Sequence, residues 1–392
     1  MKRFKPFAFL LFILTILFLL FAPHLIRTGL DKAKNAAQKD EFKGILTLWH
    51  ISGWQTGKAS FSGYLKKCIQ RFENKNAYVF IELTTLTPTK ASQKFEAGEK
   101  PDIVSFPTGF FADPSLFLPL NSADFENPSL SQSCMYNGKA YAFPWLMNAY
   151  LLFYNQELFF DKEINEAAFE KPTFDELLGA AEILSFTRTE GKKQKQIYGM
   201  AVQAEYICAP YTALAYFDET KTQTTATNST GKITVQYENG LELFINKQAG
   251  FLISSSATLD ILKNSRQTPP AFGACAFSRY TDMVQYMAAC KTDDPKKANC
   301  CKDFIYSLNN EKNIYSIEET GAFPAIFIDE LFPDDPVLKD AYRKLAKDGV
   351  FPNAFAFAKI KNDLKMHAKG AMSGDFKSID NIRSLLSKKL YS

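Results

Sequence analysis

The sequence predicts an α/β fold of parallel β-α-β units, on three observations: apolar strand-like runs alternate with segments of helical period, the composition is that of a globular protein (46% hydrophobic, 22% charged), and 392 residues are enough for two or more cores. The alternation begins with GILTLWH (44–50), an apolar strand. In SGYLKKCIQRFENKN (62–76) the apolar residues Leu65, Cys68, Ile69 and Phe72 mark one helix face. AYVFIELTTL (77–86) is a second strand, PTKASQKFEAGEK (88–100) a short polar helix, and PDIVSF (101–106) a third strand entered through proline. In such a sheet ligands sit beyond the carboxyl ends of the strands, which places HISGW (50–54) and PTGFF (107–111) at one rim. Further on, KPTFDELLGAAEIL (171–184) carries a capping box, with Thr173 as N-cap and Glu176 three residues later, ahead of a face of Leu177, Leu178, Ala181 and Leu184. TKTQTTATNSTGKITV (220–235) reads as a polar hairpin or surface loop, and SIEETGAFPA (316–325) and DGVFPNAF (348–355) as Gly/Pro turns.

The N-terminus has a different character. Phe7–Ala22 contains no charge and only Thr15 as a polar residue, follows Lys2, Arg3 and Lys5, and extends through Ile26 to about the 20 residues a membrane span needs. The expectation is an uncleaved membrane anchor over 1–27, with a cleaved signal as the alternative, followed by a polar stalk over 28–42. Four of the 46 basic residues (Lys2, Arg3, Lys5 and Arg27) precede any acid, so the remaining chain is balanced by its 42 acids. A neutral body excludes the electrostatic footprint of a nucleic-acid partner. Seven cysteines without a CxxC pattern leave at least one thiol unpaired; Cys68 and Cys301 fall on apolar helix faces and read as core. With only His24, His50 and His367 and no paired ligand spacing, no metal site is expected, and no cofactor either: there is no P-loop, no GxGxxG after a strand and no GxSxG.

The order LTLWHISGW, RFENKN, KFEAGEKPDIVSF, YNGKAYAFPWLMNAYLLFYNQELF and PTFDELLGAAEIL, with the later TDMVQYMAACKTDD and SIEETGAFPA, resembles family 1 extracellular solute-binding proteins, the carbohydrate-type receptors of ABC importers, over about residues 42–392. That resemblance implies a two-lobed periplasmic-binding-protein-like fold of type II, with crossing strands and a cleft between the lobes. Its implied partition is residues 43–149 plus 278–327 for lobe 1, and 150–277 plus 328–392 for lobe 2. The run AYAFPWLMNAYLLFYN would be the first hinge segment, with seven aromatic side chains between Ala140 and Phe159. Flat rings pack on the apolar faces of sugars while uncharged polar groups bond their rims. The sequence departs from the family pattern at Ser254, Ser255 and Ser256, where many relatives carry Gly-Trp, and it lacks a lipid-attachment cysteine near the N-terminus.

On this reading the candidate ligand-binding residues are Trp54 and His50 after the first strand, Thr108 after the third, and Trp145 and Asn148 in the hinge. Tyr206, Ser255 and Arg279 complete the set from the second lobe and the return crossing. Each has a plainer reading: ring packing for the tryptophans, a satisfied core histidine, a loop threonine, hinge packing for Asn148, a core tyrosine, a helix cap, and a solvated arginine. The implied function is capture of a small solute, a sugar or oligosaccharide, by lobe closure and its delivery to ABC permease subunits on the extracytoplasmic face of the membrane. The alternatives are an anchored sensor that signals to a membrane receptor kinase, or an exported carbohydrate-active enzyme; no paired carboxylates in a recognisable frame support the latter.

Overall fold

A computed structural model describes residues 41–121, 127–203, 210, 212–213, 233–237, 239–308, 315–328, 330–372 and 377–390. The expected anchor and most of the stalk, Tyr206, and most of the Thr-rich segment lie outside the described residues. Among the described residues no helix is long and apolar enough to cross a membrane.

The first β-α-β units form where the apolar spacing places them. β1 (Gly44–Ile51) leads through a loop to α1 (Phe61–Glu73), whose N-cap Ser60 accepts from Gly63 N at 3.1 Å. Tyr64, Leu65, Cys68, Ile69 and Phe72 are the buried face of α1. β2 (Val79–Leu86) pairs in parallel with β1 from Gly44↔Val79 to Ile51↔Leu86. α2 (Pro88–Glu96) starts with proline at its first turn, where the missing N–H costs nothing, and Thr87 caps it. β3 (Ile103–Pro107) then lies parallel to β1 on the other side. After α3 (Pro128–Ser133) and the small hairpin β4 (Met135–Tyr136) and β5 (Lys139–Ala140), β6 (Phe143–Met147) returns to this sheet.

At Asn148 the chain crosses over. β7 (Tyr150–Asn155), buried at every position, opens a second sheet. There follow α4 (Gln156–Asp161), α5 (Phe174–Ile183) with its capping box formed as expected, and the hairpin β8 (Phe186–Glu190) and β9 (Lys193–Val202). β10 (Val235–Gln236), α6 (Gly240–Ile245), β11 (Ala249–Ser255), α7 (Ala257–Lys263) and β12 (Phe272–Ala276) complete it. The order in this sheet is β10-β9-β11-β7-β12, with β7 antiparallel to both neighbours and β8 on β9.

β13 (Val284–Ala289) goes back into the first sheet, antiparallel to β3 and β6, and α8 (Pro295–Ser307) packs Phe304 against Phe72. With β14 (Phe323–Pro324) the first sheet reads β14-β6-β13-β3-β1-β2. The molecule is thus an α/β protein with one large sheet in each lobe, beside the small β4–β5 hairpin. The strand segments of the first sheet lie within 43–149 and 278–327, those of the second within 150–277. The C-terminal helices are α9 (Pro336–Asp348), α10 (Phe357–Met372) and α11 (Lys377–Leu390). The connection between α9 and α10, which the sequence groups with the second lobe, packs on first-sheet elements. Ala354 N donates to Ser133 O at 2.7 Å, and the Phe355 ring stands 6.2 Å from Phe106 and 6.3 Å from Phe117.

Candidate functional site

The strand period sends Trp49 and His50 to opposite faces of the first sheet. Trp49 packs edge-on against Phe95 of α2 at 5.3 Å, as a core ring. His50 turns into the protein, between Phe61 at 6.1 Å and Trp145 at 6.2 Å, both edge-on, and its Nδ1 lies 3.1 Å from Ser105 Oγ. Ser105 Oγ accepts from Gln285 Nε2 at 2.9 Å, which leaves its own hydrogen for His50 Nδ1 and favours the tautomer protonated at Nε2. Burial pushes the His50 pKa down to about 4, so the ring is neutral at physiological pH.

Beyond His50 the loop runs along the rim of the sheet. Gly53 passes Pro107 so closely that an added Cβ would lie 2.4 Å from the proline Cβ, so a side chain there would push the loop off the rim. Ser52 Oγ donates to Trp54 O at 3.1 Å and fixes the turn that carries the indole. Trp54 stands edge-on to Phe61 at 5.8 Å and is only 4% exposed. The loop is then pinned to the segment before β14, where Gly57 N and Ala59 N donate to Thr320 O and Glu319 O at 2.9 and 2.8 Å.

These pieces border an open cavity of about 570 Å³. His50, Ser52, Trp54, Gln55 and Thr56 line it from β1 and its loop, Ser60, Phe61 and Ser62 from the start of α1, Thr85 from β2, and Ile261 of α7 from the second lobe. Among the described residues the lining has aromatic rings and uncharged hydrogen-bonding groups and no Asp, Glu, Lys or Arg, with the Asp260 carboxylate beside it against Gly57. Such a lining suits a neutral, hydroxyl-rich guest. Among the described residues no group of three or more His, Cys, Asp and Glu is placed to hold a metal ion.

Of the candidate residues read from the sequence, the structure brings Trp54 and His50 into this lining. Trp145 is placed behind it: one face stacks on Tyr64 at 5.7 Å and 12°, an edge meets His50, and the ring is 2% exposed. Asn148 sits at the crossing, its N donating to Met283 O at 2.8 Å, its carbonyl accepting from Thr281 Oγ1 at 2.7 Å, and its Oδ1 accepting from Ala149 N at 3.0 Å. Beside it Tyr150 donates to Asp282, and Ser255 pairs with Tyr150 in the strand register. Thr108 directs both its donors, N at 3.1 Å and Oγ1 at 3.3 Å, to the carbonyl of Val284, so it serves the β3–β13 junction. The Arg279 carbonyl accepts from Val350 N at 2.8 Å, and its side chain does not line the cavity. Tyr206 lies outside the described residues.

Four of these side chains nevertheless share one property. Trp54 Nε1, Trp145 Nε1, Asn148 Nδ2 and Ser255 Oγ are buried with no hydrogen-bond partner among the described residues. Buried polar groups are nearly always paired, so such a set around the crossing and the cavity marks capacity for a polar guest or for water. The lining residues that the sequence reading passed over (Gln55, Thr56, Ser60, Phe61, Ser62 and Thr85) continue the rim already identified at HISGW. The polar run QTGKAS between a strand and a capped helix was the signal for Gln55, Thr56 and Ser60, and Thr85 joins them through its pairing with His50. Ile261 had none, because its place depends on how α7 meets the first lobe.

Comparison with known proteins agrees with the fold. No curated protein matches the sequence. Solved structures do: the ABC substrate-binding protein from Listeria monocytogenes in complex with cycloalternan is 18% identical at a TM-score of 0.61, over 88% of this chain and 99% of that one. The cyclic alpha-maltosyl-1,6-maltose binding protein from Arthrobacter globiformis is 16% identical at 0.60, over 89% and 100%. The maltose/maltodextrin-binding domain from Bdellovibrio bacteriovorus bound to maltotriose is 15% identical at 0.53, over 89% and 100%. At these identities the likeness speaks for the two-lobed fold alone. The family described as bacterial extracellular solute-binding protein matches residues 67–341, most of both sheets, and the chain belongs to that family.

Proposed function

We propose that this protein captures a neutral sugar or oligosaccharide in the cavity between the loop after β1 and α7, and that closing of the lobes seals the guest inside. The observation that carries this reading is that the described lining of the cavity holds no charged side chain, with Trp54 and Phe61 as rings and Ser52, Gln55, Thr56, Ser60 and Ser62 as hydrogen-bonding groups. Ile261 reaches it from the opposite lobe, so a guest that touches both walls favours the closed state by the difference in its affinity for the two. The closed form then docks on ABC permease subunits and no bond is made or broken by this chain. The segment Phe7–Ala22 and its extension hold the protein on the extracytoplasmic face of the membrane.

A thermal-shift screen of the full chain in a detergent without a sugar headgroup tests this reading. A cognate oligosaccharide at one hundred times its dissociation constant adds about 2.7 kcal/mol to the stability. Stabilisation by phosphorylated or other anionic solutes, with none by neutral saccharides, would overturn the ligand class. Product formation from a saccharide would overturn the assignment to binding.

A further inference from the structure

We propose that the exposed corner formed by Ile45, Tyr78 and Phe80 rests on a lipid bilayer surface and holds the cavity away from it. The inference rests on the N-terminal anchoring proposed above.

The three side chains are 61%, 65% and 59% exposed. They are neighbours, since Ile45 pairs with Phe80 across β1 and β2, and Gly44 N donates to Tyr78 O at 2.9 Å. Strand alternation puts Ile45 and Phe80 on the face that carries Trp49. There Phe95 of α2 covers the far end and leaves the start of the two strands bare. β2 is also the outer strand of its sheet. Single exposed apolar side chains are ordinary, but an exposed cross-strand pair, Ile45 and Phe80, with the exposed Tyr78 just ahead of β2 marks a contact surface. The other large exposed apolar side chains among the described residues (Leu116, Phe160, Ile183, Phe327 and Met366) belong to five other segments.

The position of this corner in the chain argues for lipid as its occupant. Glu41 and Phe42 lead straight into β1, and the fifteen steps from Ile26 to Glu41 span at most about 50 Å even when fully extended. Lys43 Nζ lies 5.1 Å from the centre of the Tyr78 ring. A phenol beside a lysine stem suits the headgroup layer, where rings sit at the boundary and ammonium groups reach the phosphates. In the sequence Lys43 and Lys75 on one side and Glu41 and Glu82 on the other flank these residues, so the segments that carry them have no net charge and the contact is apolar and interfacial. Glu82 is the next outward-facing residue of β2 and bounds the patch on the cavity side. His50 lies five residues along β1 from Ile45, about 16 Å away at strand rise. A body resting on this corner therefore points its cavity toward bulk solvent, poised for capture, and must lift before it can dock on a permease.

The test places the full chain in phosphatidylcholine vesicles with brominated acyl chains, which quench indole on contact. Phe80→Trp adds a reporter at the corner and Tyr78→Trp repeats the reading. Phe160→Trp is the control, 85% exposed on α4 of the second lobe, while the native Trp49, Trp54 and Trp145 are buried. The expected result is loss of the added emission of Phe80→Trp and Tyr78→Trp on bromination, at low and high salt alike, with Phe160→Trp unchanged. Unquenched corner reporters, or equal quenching at Phe160→Trp, would overturn the inference. So would a blue shift that follows protein density instead of bromination, because it would report a second copy pairing on the free edge of β2. Flotation of the same preparation separates the two claims. A chain that fails to float removes the anchoring and this inference together, whereas a floating chain with unquenched corner reporters removes only this inference.

Discussion

Ser256 Oγ donates to the carbonyl of Gly321 at 3.0 Å, tying the β11–α7 corner of the second sheet to the turn before β14 in the first. Gly321 takes a φ of +69°, and a Cβ added to it would lie 3.1 Å from Ala257 Cα. Gly321→Ala is therefore expected to cost about 1–3 kcal/mol through left-handed backbone strain and this close approach. Ser256→Ala should cost about 1 kcal/mol, the net value of one hydrogen bond. Urea unfolding of both variants measures these effects. Wild-type stability in Gly321→Ala would refute the closeness of this junction.

Trp54 lines the cavity with its indole N–H unpartnered, so the ring and the donor can be separated. Trp54→Phe keeps an aromatic face and removes one donor, and is expected to weaken saccharide binding about fivefold while leaving the fold intact. Trp145→Phe, behind His50 and outside the lining, should weaken binding less. Calorimetric titration of the two variants with a cognate saccharide checks the order, and the reverse order would move the site toward the hinge.

Gly53 fits only because it has no side chain. Gly53→Ala must shift the loop away from Pro107 and carry Trp54 and Gln55 with it. The expectation is a larger loss of affinity than of stability, since the strands on either side keep their pairing. Melting temperature and dissociation constant, measured on the same sample, distinguish this from general unfolding.

His50 is held neutral by burial, with its pKa lowered from 6.5 to about 4. The unfolded chain takes up a proton at this position below pH 6.5 while the folded chain does not, so the contribution is complete above the unfolded value. It is lost as the pH falls toward the folded value and amounts to about 3 kcal/mol over the whole window. Unfolding free energies at neutral pH and near pH 4 should therefore differ less in His50→Gln than in the wild type. An unchanged difference would place the acid sensitivity in other groups.

Cys68, Cys134, Cys275, Cys290 and Cys301 are buried free thiols. Burial holds Cys68 up at about 11 and Cys134, Cys275 and Cys290 at about 12. Thiolate is the reactive form, so these residues should resist alkylation in the native state and react on unfolding. Peptide mass spectrometry after brief iodoacetamide treatment reads this directly. Early labelling of Cys134 or Cys290 would contradict the packing.

Local pattern carried much of this protein. The helix face at Leu65, Cys68, Ile69 and Phe72, the Thr173–Glu176 capping box and the strands from Gly44 to Phe106 follow from spacing and capping chemistry, which neighbouring residues determine among themselves. The rim after the first strand was legible for the same reason, through Trp54 and His50. Which side chains line the cavity was decided only in three dimensions. Trp145 is as aromatic as Trp54, but Tyr64 and His50 cover it. Thr108 looks like a ligand contact until Val284, 176 residues away in sequence, takes both its donors. Ile261 reaches the cavity because α7 meets the first lobe, at the Ser256–Gly321 junction and where Asp260 lies against Gly57. Periodicity reports the face a residue belongs to within its own element, whereas burial of that face depends on partners that the chain brings in from far away.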